Sequence, residues 1–261
     1  MLQTARDIYA HRHALRSQFY VNIKTTVATT RLGILWWILD PLLLMLIYYF
    51  VVKMVFDRGG PDYHLFALCG IVTWQSFARS INLSTSSLVR SAPLIKQASL
   101  PMVLYVVMSP VVQAFFYAIG LGIIMIWNND AVGLHTLAVI FPVFLLILMT
   151  FAAGLFLSIF EVYIRDTGKF ITYVLRFGFY VSPILYSPDR IAQIQSIPEY
   201  AKSLYFANPM VHFITAIREL LFYGRMFDWK PLLVIFACTV VMIQLGLNFF
   251  RSMAPNIPKR L

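Results

Sequence analysis

Residues 161–186 read EVYIRDTGKFITYVLRFGFYVSPILY. The stretch opens on a charged elbow of Glu161, Arg165, Asp166 and Lys169, then enters an apolar run with Arg176 near its middle. A hydrocarbon core about 30 Å thick takes roughly 20 residues of helix to cross. Residues 169–186 nearly supply that, so the spacing predicts a membrane span with little tilt. A guanidinium at mid-membrane costs about 2.5 kcal/mol or more unless it meets a partner or water. This helix is therefore expected to face protein or a pore. Phe170, Tyr173, Phe177 and Tyr180 recur at helical spacing and share one of its faces. An elbow outside the membrane feeding a pore-facing helix suits a transport subunit that is driven from outside the bilayer.

Composition agrees with a membrane chain. Its 261 residues are 60% hydrophobic and 12% charged, against roughly 45–50% and about 25% in soluble domains. The net charge of +10 reads as Lys and Arg in cytoplasmic loops and at headgroups, not as a nucleic-acid surface, because no soluble basic domain is present to carry one. Cys69 and Cys238 both sit in apolar runs, which suits neither a disulfide framework nor a metal site. The first long apolar run begins only after residue 31, so no cleavable signal peptide is expected.

Working outward, residues 1–31 place Ile8, Leu15, Phe19 and Ile23 on one helical face, with Arg6, Arg12, His13 and Arg16 mostly elsewhere. That pattern is an amphipathic interface helix, serving either as a lipid anchor or as a contact for a cytoplasmic partner. The remaining chain, 32–261, reads as an all-α transmembrane domain with spans at 32–52, 65–88, 102–127, 134–160, 169–186 and 232–250. Asp40-Pro41 interrupts the first span. An intramembrane carboxylate is either functional, paired with an interior arginine, or near enough to the surface to be solvated. The second span ends in a polar half, residues 80–87, that follows Arg79. Residues 187–230 are too polar to span. Their two helical pieces, 197–206 and 210–223, flank Asn208-Pro209 and read as a re-entrant hairpin.

Six spans put both termini on one side of the membrane. Segments 1–31, 88–100, 161–169 and 251–261 hold 12 Lys and Arg, while 53–64, 128–133 and 187–230, of nearly equal total length, hold 7. The bias places both termini and the elbow in the cytoplasm. No internal repeat marks an inverted-repeat secondary transporter. No phosphate loop is present, since Gly168-Lys169 is followed by Phe170, and neither H-E-x-x-H nor G-x-S-x-G occurs. The chain reads as a transporter component and not as an enzyme.

Several pieces in order carry a resemblance: Arg31-Leu32-Gly33-Ile34-Leu35-Trp36, Asp40-Pro41-Leu42-Leu43, Trp74, Leu94-Ile95-Lys96 with Pro101, Val162-Tyr163-Ile164-Arg165-Asp166, Ser182-Pro183-Ile184-Leu185-Tyr186, and Asn208-Pro209-Met210 with Arg218. Over nearly its whole length the chain resembles the membrane subunits of bacterial ABC exporters of cell-envelope polysaccharides, the class of O-antigen (Wzm-type), capsule (KpsM-type) and teichoic-acid (TagG-type) permeases. Asp40 stands where that family more often has Gln or Glu, and Glu161 where Asn is common.

The resemblance implies a homodimer in the bacterial inner membrane, each half docking one cytoplasmic nucleotide-binding subunit. ATP and Mg would be held by those two ATPase copies, with no cofactor on this chain. Residues 161–169 would be the coupling helix, with Glu161, Tyr163, Arg165 and Asp166 meeting the ATPase and Arg12 and Arg16 a second contact. Ser182, Pro183, Tyr186, Asn208, Pro209 and Arg218 would belong to a periplasmic gate. The cargo would be a lipid-linked glycan. Phe170, Tyr173, Phe177 and Tyr180, with Trp37 and Tyr48, are expected to line its path, because aromatic faces stack on sugar rings. Arg176 and Arg79 would bind a lipid diphosphate or pair with Asp40. Another cargo, a drug or a lipid, and ion-coupled secondary transport are the alternatives.

Overall fold

The computed structural model describes residues 9–28, 31–97 and 100–261, and Ile8 of the expected amphipathic face lies outside them. Among these residues the chain is helical with no strand. We number the helices α1 Arg12–Ala28, α2 Leu35–Tyr49, α3 Tyr63–Thr85, α4 Ser87–Arg90, α5 Ala92–Gln97, α6 Val103–Trp127, α7 Ile140–Tyr163, α8 Thr167–Val181, α9 Pro188–Gln193, α10 Glu199–Ala207, α11 Pro209–Leu221 and α12 Trp229–Met253. A wider π-helical turn, Phe50–Val55, prolongs α2.

Among the described residues, four helical stretches are long and apolar enough to cross a bilayer: Leu35–Val55, Val103–Trp127, Leu134–Tyr163 and Trp229–Asn256. Two of the six expected spans fall outside that set for different reasons. Helix α3 has the length, at 23 residues, but carries Gln75, Arg79, Asn82 and several hydroxyls. Helix α8 has 15 residues, about 22 Å at the α-helical rise and shorter than the hydrocarbon core. It stops at Val181 because Ser182 precedes a proline and takes an extended ψ of 154°.

The polar helix is nevertheless the centre of the fold. Fifteen of the 23 residues of α3 are buried, and it packs against α2, α6, α7, α8 and α11. One of its hydroxyls is used between helices: the Thr73 and Tyr117 hydroxyls meet at 3.0 Å across the α3–α6 contact. A second core layer joins α12 to α7 through Ile243, Leu247 and Phe250 against Phe151, Leu155 and Ile159.

Two surface elements differ from their simplest sequence readings. The face of α1 formed by Leu15, Phe19, Ile23 and Val27 lies on Met108, Val112 and Phe116 of α6. Those α1 side chains are half-buried by this contact, and Arg12 and Arg16 are exposed. In the expected hairpin, α10 is largely exposed, with one buried residue, Tyr205. By contrast α11 buries nine of its 13 residues and packs on α3. Asn208 caps α11 by accepting from the Met210 amide at 3.0 Å, with Pro209 in the first turn.

Candidate functional site

The predicted elbow is the last turn of α7, a short turn, and the first turn of α8. Glu161 organises it. Its Oε2 accepts from the Gly168 amide at 2.6 Å, so a carboxylate on one helix caps the positive end of the next. Tyr163 ties the elbow to the end of the chain: its hydroxyl reaches Met253 Sδ at 3.8 Å, and Arg260 lies 4.6 Å above its ring. Ile164, Arg165 and Asp166 are exposed, and the surface pair Lys169–Asp166 at 3.4 Å adds little stability. The elbow therefore has a fixed base and a free, mixed apolar and charged tip. Arg12 and Arg16 are exposed on α1, where Arg12 lies 4.6 Å over the Tyr9 ring.

Helix α8 is held by one face and displays the other. On the held face Leu175 is buried, and Thr172 donates to Asn82 Oδ1 at 3.2 Å. Gly178 lies so close to Trp74 that a Cβ would come within 2.8 Å of its ring. On the other face Phe170, Tyr173, Phe177 and Tyr180 are 63–70% exposed. Arg176 is also exposed, 5.5 Å over the Tyr173 ring. Four large aromatics in one line form an apolar patch of the kind that marks an interaction surface. Of the two residues grouped with them on α2, Tyr48 adjoins the stripe, stacked 5.4 Å from Phe179, whose ring in turn meets that of Tyr180. Trp37 lies away from it, stacked on Phe116 at 3.8 Å.

Asp40 and Arg79 form an ion pair. Gln75 donates a further hydrogen bond to Asp40 Oδ2 at 3.1 Å, and the Arg79 guanidinium sits 4.4 Å over the Trp37 ring. Of the alternatives the sequence left for Asp40, the geometry is that of pairing with an interior arginine. Arg176 is remote from this cluster in its contacts. Sequence reasoning missed Gln75, although its position four residues before Arg79 on an apolar helix is a legible signal. It also missed a cavity of about 550 Å³ between α1, α3, α4 and α6, lined among others by Arg79, Asn82, Arg90 and Gln113.

The residues assigned to a gate converge. Arg218 is fully buried and donates to three carbonyls, those of Phe66 at 3.1 Å, Pro183 at 2.5 Å and Ile184 at 2.6 Å. Asn208 Nδ2 donates to Ser182 Oγ at 3.1 Å. The Tyr186 hydroxyl donates to the Val181 carbonyl at 2.9 Å. The bend after α8 is thus fastened to α11 from both of its ends. Beside it, burial raises the Tyr205 hydroxyl above the ordinary phenol value, so it remains neutral.

Comparison with known proteins bears on this arrangement. A family model described as ABC-2 type transporter matches residues 14–222. The chain is 27% identical to the O-antigen export system permease protein RfbA of Myxococcus xanthus over 256 residues, 97% of this chain and 96% of that one. It is 25% identical to the RfbA protein of the same description from Klebsiella pneumoniae, over 89% and 88% of the two chains. Identity to the polysialic acid transport protein KpsM of Escherichia coli is 22%, over 90% and 91%.

Proposed function

The chain belongs to the ABC-2 type transporter family, and from that premise we propose that it is the membrane subunit of an ABC exporter of a cell-envelope polysaccharide, with ATP hydrolysed by a separate cytoplasmic subunit. One observation carries the cargo class: relatives matched over nine-tenths or more of this chain are an O-antigen export permease and a polysialic acid transport protein.

In this reading α2, α3, α6, α7, α8 and α12 all cross the inner membrane, and both termini lie in the cytoplasm. Helix α3 crosses because its polar residues are turned to other helices, and α8 because the bend at 182–184 completes its depth. The segment between α8 and α12 forms the re-entrant hairpin and gate. Two copies assemble, and the outward stripe of α8 faces the glycan path between them. Stacking on sugar faces lets a polymer slide without a fixed hydrogen-bond register. Arg176, which has no carboxylate partner among the described residues, offers a cation to anionic groups on the cargo, while Arg79 is committed to Asp40.

The exposed tip of the elbow, Ile164 to Asp166, docks the ATPase, with Arg12 and Arg16 as a second contact. Force on the tip reaches α8 through the Glu161–Gly168 cap. ATP and Mg belong to the partner, and this chain supplies movement.

The test is purification in mild detergent of the tagged chain expressed with the proteins encoded beside it. The expected particle holds two copies of this chain and two of an ATPase with a phosphate loop, and it loses the ATPase when Arg165 and Asp166 are both replaced by Ala. Transport that follows a proton gradient with no ATPase bound overturns the reading in favour of ion-coupled transport.

A further inference from the structure

At the end of the molecule opposite the elbow, a cavity of about 660 Å³ opens between three segments: the end of α2 with its loop to α3, the stretch after α8, and the end of α11. Its wall is mainly apolar and aromatic. Phe56, Phe66 and Phe222 line it, and the last two meet edge to face at 6.0 Å. Arg58 and Arg190 line the same cavity from opposite segments. Both residues are exposed, and neither makes an ion pair among the described residues. Asp62 adds one carboxylate, so the lining is net positive.

We infer that this cavity holds one membrane phospholipid, an acyl chain among the rings and the phosphate against Arg58 and Arg190. The two halves of the site ask for the two halves of such a molecule. An apolar hollow of this size with a few convergent polar groups is the usual form of a ligand site. Planar guanidinium forks match phosphate oxygens, two at a time. A neutral sugar carries no phosphate for Arg58 and Arg190 to hold. Free phosphate would leave the aromatic hollow unfilled.

The site also lies at the level where lipid headgroups lie. Trp127, Tyr223 and Trp229 are 37–49% exposed at this end, which is joined by Asn128 Nδ2 donating to the Leu221 and Phe222 carbonyls at 2.9 and 3.1 Å. Exposed Trp and Tyr of this kind form the aromatic belt of a membrane protein. A lipid seated here bridges the π-helical end of α2 to the bend behind α8.

The experiment is native mass spectrometry of the intact complex in detergent, titrated with phosphatidylglycerol and, separately, with diacylglycerol of the same chains. Phosphatidylglycerol is expected to bind once per chain and at least tenfold more tightly than diacylglycerol. The double variant Arg58→Gln/Arg190→Gln removes that difference. Gly60→Trp abolishes the tight binding by filling the cavity, since a Cβ at Gly60, which lines it, has no heavy atom within 4 Å. Equal binding of the two lipids by the wild type, or unchanged phosphatidylglycerol binding in Gly60→Trp, overturns the inference. So does recovery of a glycan-bearing molecule as the tightly held species. None of these outcomes depends on which polymer is exported.

Discussion

The Arg218 guanidinium of α11 donates to the carbonyl of Ile184, 2.6 Å away, in the bend that ends α8. Arg218 is 2% exposed and has no carboxylate partner among the described residues. Its charge is met instead by three carbonyls and by the Phe66 ring, 3.4 Å from Cζ. One side chain therefore clamps α3, the bend and α11 together. Gly70 makes room for the clamp: a Cβ there would lie 2.9 Å from Arg218 Nη2 and 3.0 Å from the Ile184 Cα.

Replacing Arg218 by Met strands the two buried carbonyls of Pro183 and Ile184, and each such group costs about 1–3 kcal/mol when unpaired. Melting of the purified protein in detergent is expected to show a loss of at least about 2 kcal/mol. Arg218→Lys should recover little, because a single ammonium cannot reproduce the planar fork. Gly70→Ala is expected to be destabilising in the same assay, since both of its near neighbours are fixed.

Asp40 and Arg79 can be separated by a double-mutant cycle. Asp40→Asn leaves a guanidinium half-buried beside Trp37, and Arg79→Gln leaves a carboxylate beside Gln75. Each single change is expected to cost about 1–3 kcal/mol, and the double change less than their sum. Additive losses would mean that the two charges act independently of one another.

The Glu161 cap predicts a split between stability and transport. Glu161→Ala removes the acceptor for the Gly168 amide and should cost about 1 kcal/mol in melting, whereas Glu161→Gln keeps an acceptor and costs less. If the cap transmits movement, Glu161→Ala leaves ATP hydrolysis by the complex in place and lowers export per ATP. Proportional loss of both activities would make the residue structural only.

Aromatic residues on α8 and α2 should behave oppositely. Tyr173 and Phe177 are 67% and 70% exposed, so Tyr173→Ala and Phe177→Ala are expected to change stability by less than about 0.5 kcal/mol while reducing export. Trp37, stacked between Phe116 and Arg79, should lose about 2–3 kcal/mol on replacement by Ala. Normal export by both stripe variants at normal protein level would remove the stripe from the glycan path.

Hydropathy and motif order were enough to read an all-helical membrane chain, its family, and most helix positions, because four stretches are apolar over bilayer length whatever their neighbours. The aromatic stripe was legible for a similar reason: residues at helical spacing share a face in any helix. What lay on each face was not. Leu15, Phe19 and Ile23 announced an apolar surface, but only packing decided that α6 covers it. Helix α3 read as a span with a polar second half, and the tertiary fold pairs Arg79 with Asp40 and Asn82 with Thr172. The sequence marked Asp40 as an intramembrane charge and offered Arg79 as one partner, while Arg218 entered only as part of the gate that the resemblance implies. Which partners they take depends on contacts 34–152 residues apart in the chain, and only the packed helices bring those together.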